Sequence, residues 1–166
     1  MTENATHDMV LTRVFGAPLD AVWRAWTESD QVKQWWGPHG FTAPVAEMDV
    51  REGGTSLVCM RAPAEFGGQD LYNTWTYTLV QPGKRLEFVN AFTDENRTPL
   101  DPADLGLPPS IPPRVPHVVT FTALEPGRTE LTVRESGYTS PDVVEVSRSG
   151  MDQCLDKMAA LLERER

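Results

Sequence analysis

Acid–base or nucleophilic catalysis needs a base within reach of the group it deprotonates, and the local spacing of this chain offers few such arrangements. Its three histidines, His7, His39 and His117, are scattered, and no CxxC or HxxxH spacing gathers metal ligands. There is no GxSxG elbow, no GxxxxGKS/T phosphate cradle, and no pair of carboxylates forced together by spacing. What remains is polar residues set among apolar ones in strand-like segments. Asn90 in RLEFVNAFT (85–93) shares a strand face with Leu86, Phe88 and Phe92, which makes it the leading candidate for a polar group inside a cavity. Tyr77 is next, with its hydroxyl on an apolar body. His117 opens a strand beside a proline-rich stretch, where it is either a general base near a cavity mouth or a surface histidine. Glu47, Asp49, Arg51, Arg61, Asn73, Arg134 and Glu135 are mostly expected to face water, because a meander has one solvated face. Asp49 and Arg51 are expected to pair near the Gly53-Gly54 turn.

The elements that must hold these residues read mainly as strands. Residues 1–8 are polar and expected to be a flexible start, and MVLTRVF (9–15) reads as a first strand. Ala17-Pro18-Leu19-Asp20 starts a helix, with Leu19, Val22, Trp23 and Trp26 at helical spacing up to Thr27. Ser29 can cap a second short helix, DQVKQWW, which Gly37-Pro38 ends. Strands are predicted at 42–51, 55–62, 70–80, 85–93, 115–124 and 129–135, joined by Gly53-Gly54, Pro82-Gly83 and Glu125-Pro126-Gly127-Arg128. In 70–80, Trp75, Tyr77 and Leu79 fall on one face and Thr74, Thr76 and Thr78 on the other. Residues 94–116 carry seven of the 14 prolines. Proline cannot donate to a ladder, so this is a long loop inserted in a hairpin, either a lid or contact surface or a tolerated insertion.

From Ser140 onward the chain reads as one long amphipathic helix. Ser140 is its cap, Pro141 lies in its first turn, and Met151, Leu155, Met158 and Leu162 form an apolar stripe. Gly150 inside it costs about 1 kcal/mol against alanine. Close approach to a sheet, or a slight kink, would account for it. A helix this long needs a curved sheet to lie on, and a sheet gripping a helix can leave a cavity between them.

The formal net charge is −9, which disfavours nucleic acid and anionic membrane surfaces as partners. No apolar run is long enough to span a bilayer. MTENATHDM has neither a basic nor an apolar signal region, so the expected location is the cytoplasm. Cys59 and Cys154 then read as buried free thiols, with a disulfide or redox role as the alternative.

These ordered features make a family resemblance. Ala17-Pro18, Val22-Trp23-x-x-Trp26, Trp35-Trp36-Gly37-Pro38 and Asp49-x-Arg51-x-Gly53-Gly54 resemble the opening of bacterial START-like proteins of the SRPBCC superfamily. The branch they resemble is named after the activator of the heat-shock protein 90 ATPase (homolog 1-like). PGKRLEFVNAF (82–92), RTELTVRESGY (128–138) and GMDQCLDKMAALLE (150–163) resemble its later strands and closing helix. The likeness implies an α+β helix-grip fold of the Bet v type. In it, a curved antiparallel sheet of six to seven strands wraps a long C-terminal helix, with two short helices after the first strand, all in one domain over 9–166. Met151 stands where the family usually carries tryptophan after the helix glycine, and the 94–116 loop is longer than expected. The namesake's separate chaperone-binding region has no counterpart in these residues, so the likeness implies a fold rather than a chaperone mechanism.

In such a fold the candidates to line a cavity are Trp35, Trp36, Phe41, Met48, Val58, Met60, Trp75, Tyr77, Phe88, Asn90, Phe92, His117, Val119, Phe121, Met151, Leu155 and Met158, each of which is also a natural core residue. The leading functional expectation is binding of a small hydrophobic or amphipathic molecule or lipid, without cofactor or metal and without catalysis. A cofactor-free enzyme of the polyketide cyclase or dehydratase type is one alternative. A protein-interaction module, such as a chaperone regulator or stress protein, is another. Monomer and homodimer are both compatible with the sequence.

Overall fold

Turn chemistry sets the sheet. The computed structural model describes residues 6–165, and its strands are β1 (His7–Phe15), β2 (Thr42–Glu47), β3 (Thr55–Arg61), β4 (Asp70–Gln81), β5 (Arg85–Thr93), β6 (Arg114–Glu125) and β7 (Arg128–Tyr138). They form one antiparallel sheet in the order β1-β7-β6-β5-β4-β3-β2. Short turns join β2 through β5 and β6 to β7, so each strand lies beside the one before it, while β1 returns to pair with β7. Between β1 and β2 lie α1 (Leu19–Thr27) and α2 (Ser29–Trp35), and α3 (Pro141–Arg164) closes the chain. Two short 3₁₀ turns sit in loops, at Ala64–Phe66 and Pro102–Leu105. This is the helix-grip arrangement, and among the described residues no helix is long and apolar enough to cross a membrane.

Helix α3 grips as its stripe predicts. Ser140 Oγ accepts from the Asp142 amide at 3.2 Å, and Met151, Leu155, Met158 and Leu162 are all buried. The helix packs on β1 and α2, where Arg13 of β1 bridges Asp152 and Asp156 of α3, the latter at 2.7 Å. At the end of the sheet near α1 and α2 the interior is filled by tryptophan. Trp26 and Trp35 meet tilted with ring centres 4.7 Å apart, Trp36 meets Trp75 at 5.1 Å, and the Trp35 indole donates to the Ala25 carbonyl at 2.7 Å.

Several boundaries differ from the sequence expectation. Strand β1 begins at His7, which pairs with Tyr138, and Asp8 accepts from Arg134 at 3.0 Å; residues 1–5 lie outside the described residues. Ser29 is the first residue of α2 rather than its cap; its hydroxyl instead accepts from the Met48 amide at 3.4 Å. Strand β2 stops at Glu47, because the chain turns where Arg51 binds Asp49 at 2.8 Å. Leu79 leaves the face of Trp75 and Tyr77. An extra residue at Thr78 breaks the register between Tyr77–Phe88 and Leu79–Glu87, and Val80 takes the inward place opposite Leu86. The loop after β5 ends at 113. Pro116 sits within β6, tolerated because pairing with β7 begins only at His117. Gly150 is not a close-packing glycine, since a Cβ there would meet nothing within 4 Å.

The segment between α2 and β2 is tied to α3 by one ammonium group. Lys157 donates to the carbonyls of Gly37 at 2.9 Å, Phe41 at 3.1 Å and Trp36 at 3.5 Å. Gly37 has φ +98°, and a Cβ there would come within 2.9 Å of the Phe41 Cβ. Burial holds the Lys157 ammonium below its usual pKa. Lys157→Met keeps the aliphatic stem but strips three carbonyls of their donor. We expect a loss of about 2 kcal/mol in urea denaturation; no loss would mean that packing and the contacts of His39 with Gln153 and Asp156 hold this segment without it.

Candidate functional site

A cavity of about 180 Å³ opens beside the tryptophan cluster, with Trp36 in its wall. Its apolar wall comes from Trp36 and Pro38 after α2, Met60 of β3, Leu71 of β4, Phe92 of β5, Ile111 of the proline-rich loop, Val115 of β6, and Met151 of α3. Gly150 and Cys154 complete the helix side. Six polar side chains also border it: Asn73, Asn90, His117, Glu135, Tyr138 and Ser147. The loop is held in place where the Thr139 amide donates to the Ser110 carbonyl at 3.2 Å.

Of the residues proposed from sequence, Trp36, Met60, Asn90, Phe92, His117 and Met151 border this cavity. Trp35, Val58, Trp75, Tyr77, Phe88, Val119, Phe121, Leu155 and Met158 are buried in the packed core instead, and Phe41 and Met48 are half-buried outside the cavity wall. Inward phase identifies the face a residue occupies; it does not say whether that stretch is filled, and here the tryptophans fill half of it. Tyr77 shows the difference. Its hydroxyl is satisfied by Ser56 at 2.9 Å, and burial holds its pKa well above the usual tyrosine value.

Glu135 and Asn73 overturn the expectation that they face water: they are 5% and 3% exposed. A signal was present, since Glu135 is in phase with the inward Leu131 and Val133, and Asn73 with Trp75. Tyr138 was harder to find. It lies three residues beyond Glu135, an interval that would normally point to the opposite face. A register shift between His7–Tyr138 and Met9–Glu135, with Gly137 at φ +98°, adds a residue to β7 and turns Tyr138 inward beside Glu135.

His117, Glu135 and Tyr138 form one buried polar chain. His117 Nδ1 lies 2.9 Å from the Val115 carbonyl, which can only accept, so Nδ1 carries a hydrogen. Nε2 then faces Glu135 Oε2 at 3.2 Å. The Tyr138 hydroxyl donates to Glu135 Oε1 in a short bond. Burial, and next the Glu135 charge, hold that hydroxyl far above the usual tyrosine pKa, so it stays a donor. The His117 ring stacks on Phe88 at 4.9 Å and 17°, which fixes its plane. Asn90 Oδ1 accepts from the Trp75 indole at 3.1 Å. Arranged this way, the group can orient a bound polar atom and move one proton to or from it. Among the described residues no cluster of three or more His, Cys, Asp or Glu could hold a metal ion.

Both cysteines are free and buried. Burial pushes the Cys154 thiol up to about 12, and burial followed by the Asp70 charge pushes Cys59 up to about 11. At pH 8 the thiolate fraction of Cys154 is then on the order of 10⁻⁴. Iodoacetamide is therefore expected to spare Cys154 in the folded protein and label it in denaturant. Both raised values favour the folded state below the unfolded thiol pKa of about 8.5 and lose that contribution as pH rises through the folded values. Melting temperature is expected to fall from about pH 9 upward, and less steeply in Cys154→Ala. Rapid native labelling, or a flat alkaline profile, would contradict this.

The geometry can now be set against known proteins. The family model described as Activator of Hsp90 ATPase homolog 1-like protein matches residues 16–163. A comparison with curated proteins finds no match. Among solved structures, protein CV1439 of Chromobacterium violaceum is 26% identical with a TM-score of 0.73, covering 95% of this chain and 98% of that one. Protein Ms6760 of Mycobacterium smegmatis is 26% identical with a TM-score of 0.72, covering 93% and 90%. The AHSA1 protein of Silicibacter pomeroyi shares the fold at 19% identity and a TM-score of 0.76, covering 96% and 100%.

Proposed function

This chain belongs to the Activator of Hsp90 ATPase homolog 1-like family, and from that premise we propose that it holds a small apolar or amphipathic molecule in the cavity between sheet and C-terminal helix. The observation that carries the proposal is the convergence of buried polar groups from four strands on one apolar-walled space of about 180 Å³. Pockets are built this way, with apolar walls for affinity and a few polar groups for orientation. Removing about 200 Å² of apolar ligand surface from water contributes about 5 kcal/mol before the costs of immobilisation. In this reading the proline-rich loop serves as a wall, with Ile111 at the cavity and Pro112 beside Gly137.

A second reading, cofactor-free acid–base catalysis of the cyclase or dehydratase type, is favoured by the desolvated His117–Glu135 contact. His117 Nε2 and Glu135 would take a proton from a bound substrate and return it elsewhere on the same molecule. A chaperone or other protein partner has less support. Of the exposed large apolar residues, Val10 and Val14 share β1 while Phe66, Leu124 and Val146 lie on three other elements, and none lies on the 94–113 loop.

Native mass spectrometry of gently purified protein, followed by denaturation and extraction, tests the proposal. A small molecule released on denaturation supports it. A bare protein that also takes up none of a panel of small aromatic and lipid probes overturns it.

A further inference from the structure

We propose that Asn73 and Asn90 make the cavity selective for an uncharged ligand bearing a carbonyl oxygen; this rests on the reading that the cavity binds a small molecule. Asn73 is 3% exposed, lines the cavity, and makes no side-chain hydrogen bond among the described residues. Its amide atoms are open to the cavity rather than sealed in the core, so whatever fills the cavity, water or ligand, supplies their partner.

Asn90 adds donors beside it. The Trp75 indole can only donate, so the Asn90 oxygen must face it and the amide nitrogen points elsewhere, with no partner among the described residues. The two asparagines are diagonal neighbours on adjacent strands, since Asn73 pairs with Phe92 and Trp75 with Asn90. Together they present unused N–H groups to one wall.

Charge narrows the class. No lysine or arginine borders the cavity, and the Glu135 carboxylate does. A buried anion would meet no fixed cation there, since the ionisable pair on the wall, His117 and Glu135, already face each other. Size narrows it further: about 180 Å³ is below the range of roughly 300–1,000 Å³ typical of drug-sized ligands, too little for a long acyl chain. The complement is a compact ketone, ester or amide whose oxygen accepts from the asparagines while its body lies against Met60, Phe92 and Met151.

The test uses three probes of similar size and equal non-hydrogen atom count: acetophenone, cumene and benzoate. Each is titrated into the full chain and followed by NMR. Acetophenone is expected to bind at least about tenfold more tightly than cumene, to shift the side-chain amide resonances of Asn73 and Asn90, and to outcompete benzoate. Asn73→Leu should erase the preference over cumene while leaving the melting temperature unchanged or higher, because the side chain has no protein hydrogen bond to lose. A structural asparagine would lower it. Cumene binding as tightly as acetophenone in the unaltered protein would overturn the selectivity and leave the cavity reading intact. Binding of none of the three at saturating concentration would overturn both.

Discussion

Gly150→Leu is expected to raise the melting temperature while abolishing uptake of small molecules by the cavity. Residue 150 lies within α3, and a Cβ there meets nothing within 4 Å. The space it would enter is the cavity itself, whose wall Gly150 forms. Two favourable terms follow. Replacing glycine with leucine in a helix contributes about 0.8 kcal/mol through propensity, and the new side chain buries apolar surface against Met151 and Trp36. A gain of about 1 kcal/mol corresponds to about 2–4 °C for a domain of this size. The same leucine occupies the volume a ligand needs, so affinity for any probe should fall more than about tenfold. Gly150→Ala separates the effects, since it should stabilise comparably and leave most of the volume open. Calorimetry with a bound probe reads both. A destabilised Gly150→Leu, or one that binds as before, would mean that the helix side of the cavity is wrongly identified.

Gly150 also shows where sequence reasoning fails. A glycine in a long helix signals that a side chain is unwelcome, but close packing and open space produce the same letter. The elements were legible for a local reason: β-branched runs, turn glycines and the stripe of Met151, Leu155, Met158 and Leu162 act over a few residues. The site depends on non-local facts. Leu79 reads as inward by alternation, and a single extra residue at Thr78 reverses it. Glu135 reads as solvent-facing by residue type although its phase with Leu131 and Val133 says otherwise. Tyr138 reaches Glu135 only through the irregularity at Gly137. Asn90 was legible because both its phase and its apolar neighbours pointed inward. His117 was ambiguous because a strand beginning beside a long loop gives no hint of how deep it starts.

Irregularities in β4 and β7 therefore decide which side chains face inward. The bulge in β4 turns Leu79 out and Val80 in; the irregularity in β7 brings Tyr138 to the cavity side that Glu135 already occupies by regular alternation. A regular meander with the same composition would place Tyr138 on the outer face and leave Glu135 with one partner fewer.

Glu135→Leu is expected to destabilise the protein by about 3 kcal/mol, a fall of roughly 6–12 °C in melting temperature. It removes the acceptor for the Tyr138 hydroxyl and the partner of His117 Nε2, leaving two buried polar groups unsatisfied. The triple substitution His117→Phe, Glu135→Leu and Tyr138→Phe removes all three polar ends and keeps their volumes close. It should recover to within about 1 kcal/mol of the unaltered protein, because a satisfied polar chain and an apolar replacement are nearly equal in folding energy. Chemical denaturation of the single, double and triple variants gives the couplings directly. A neutral Glu135→Leu would show that the contacts of Glu135 with His117 and Tyr138 add nothing to folding. Recovery in the triple variant, accompanied by loss of acetophenone binding, would show that folding does not require the chain. Its place in the cavity wall would then be explained by the molecule it meets there.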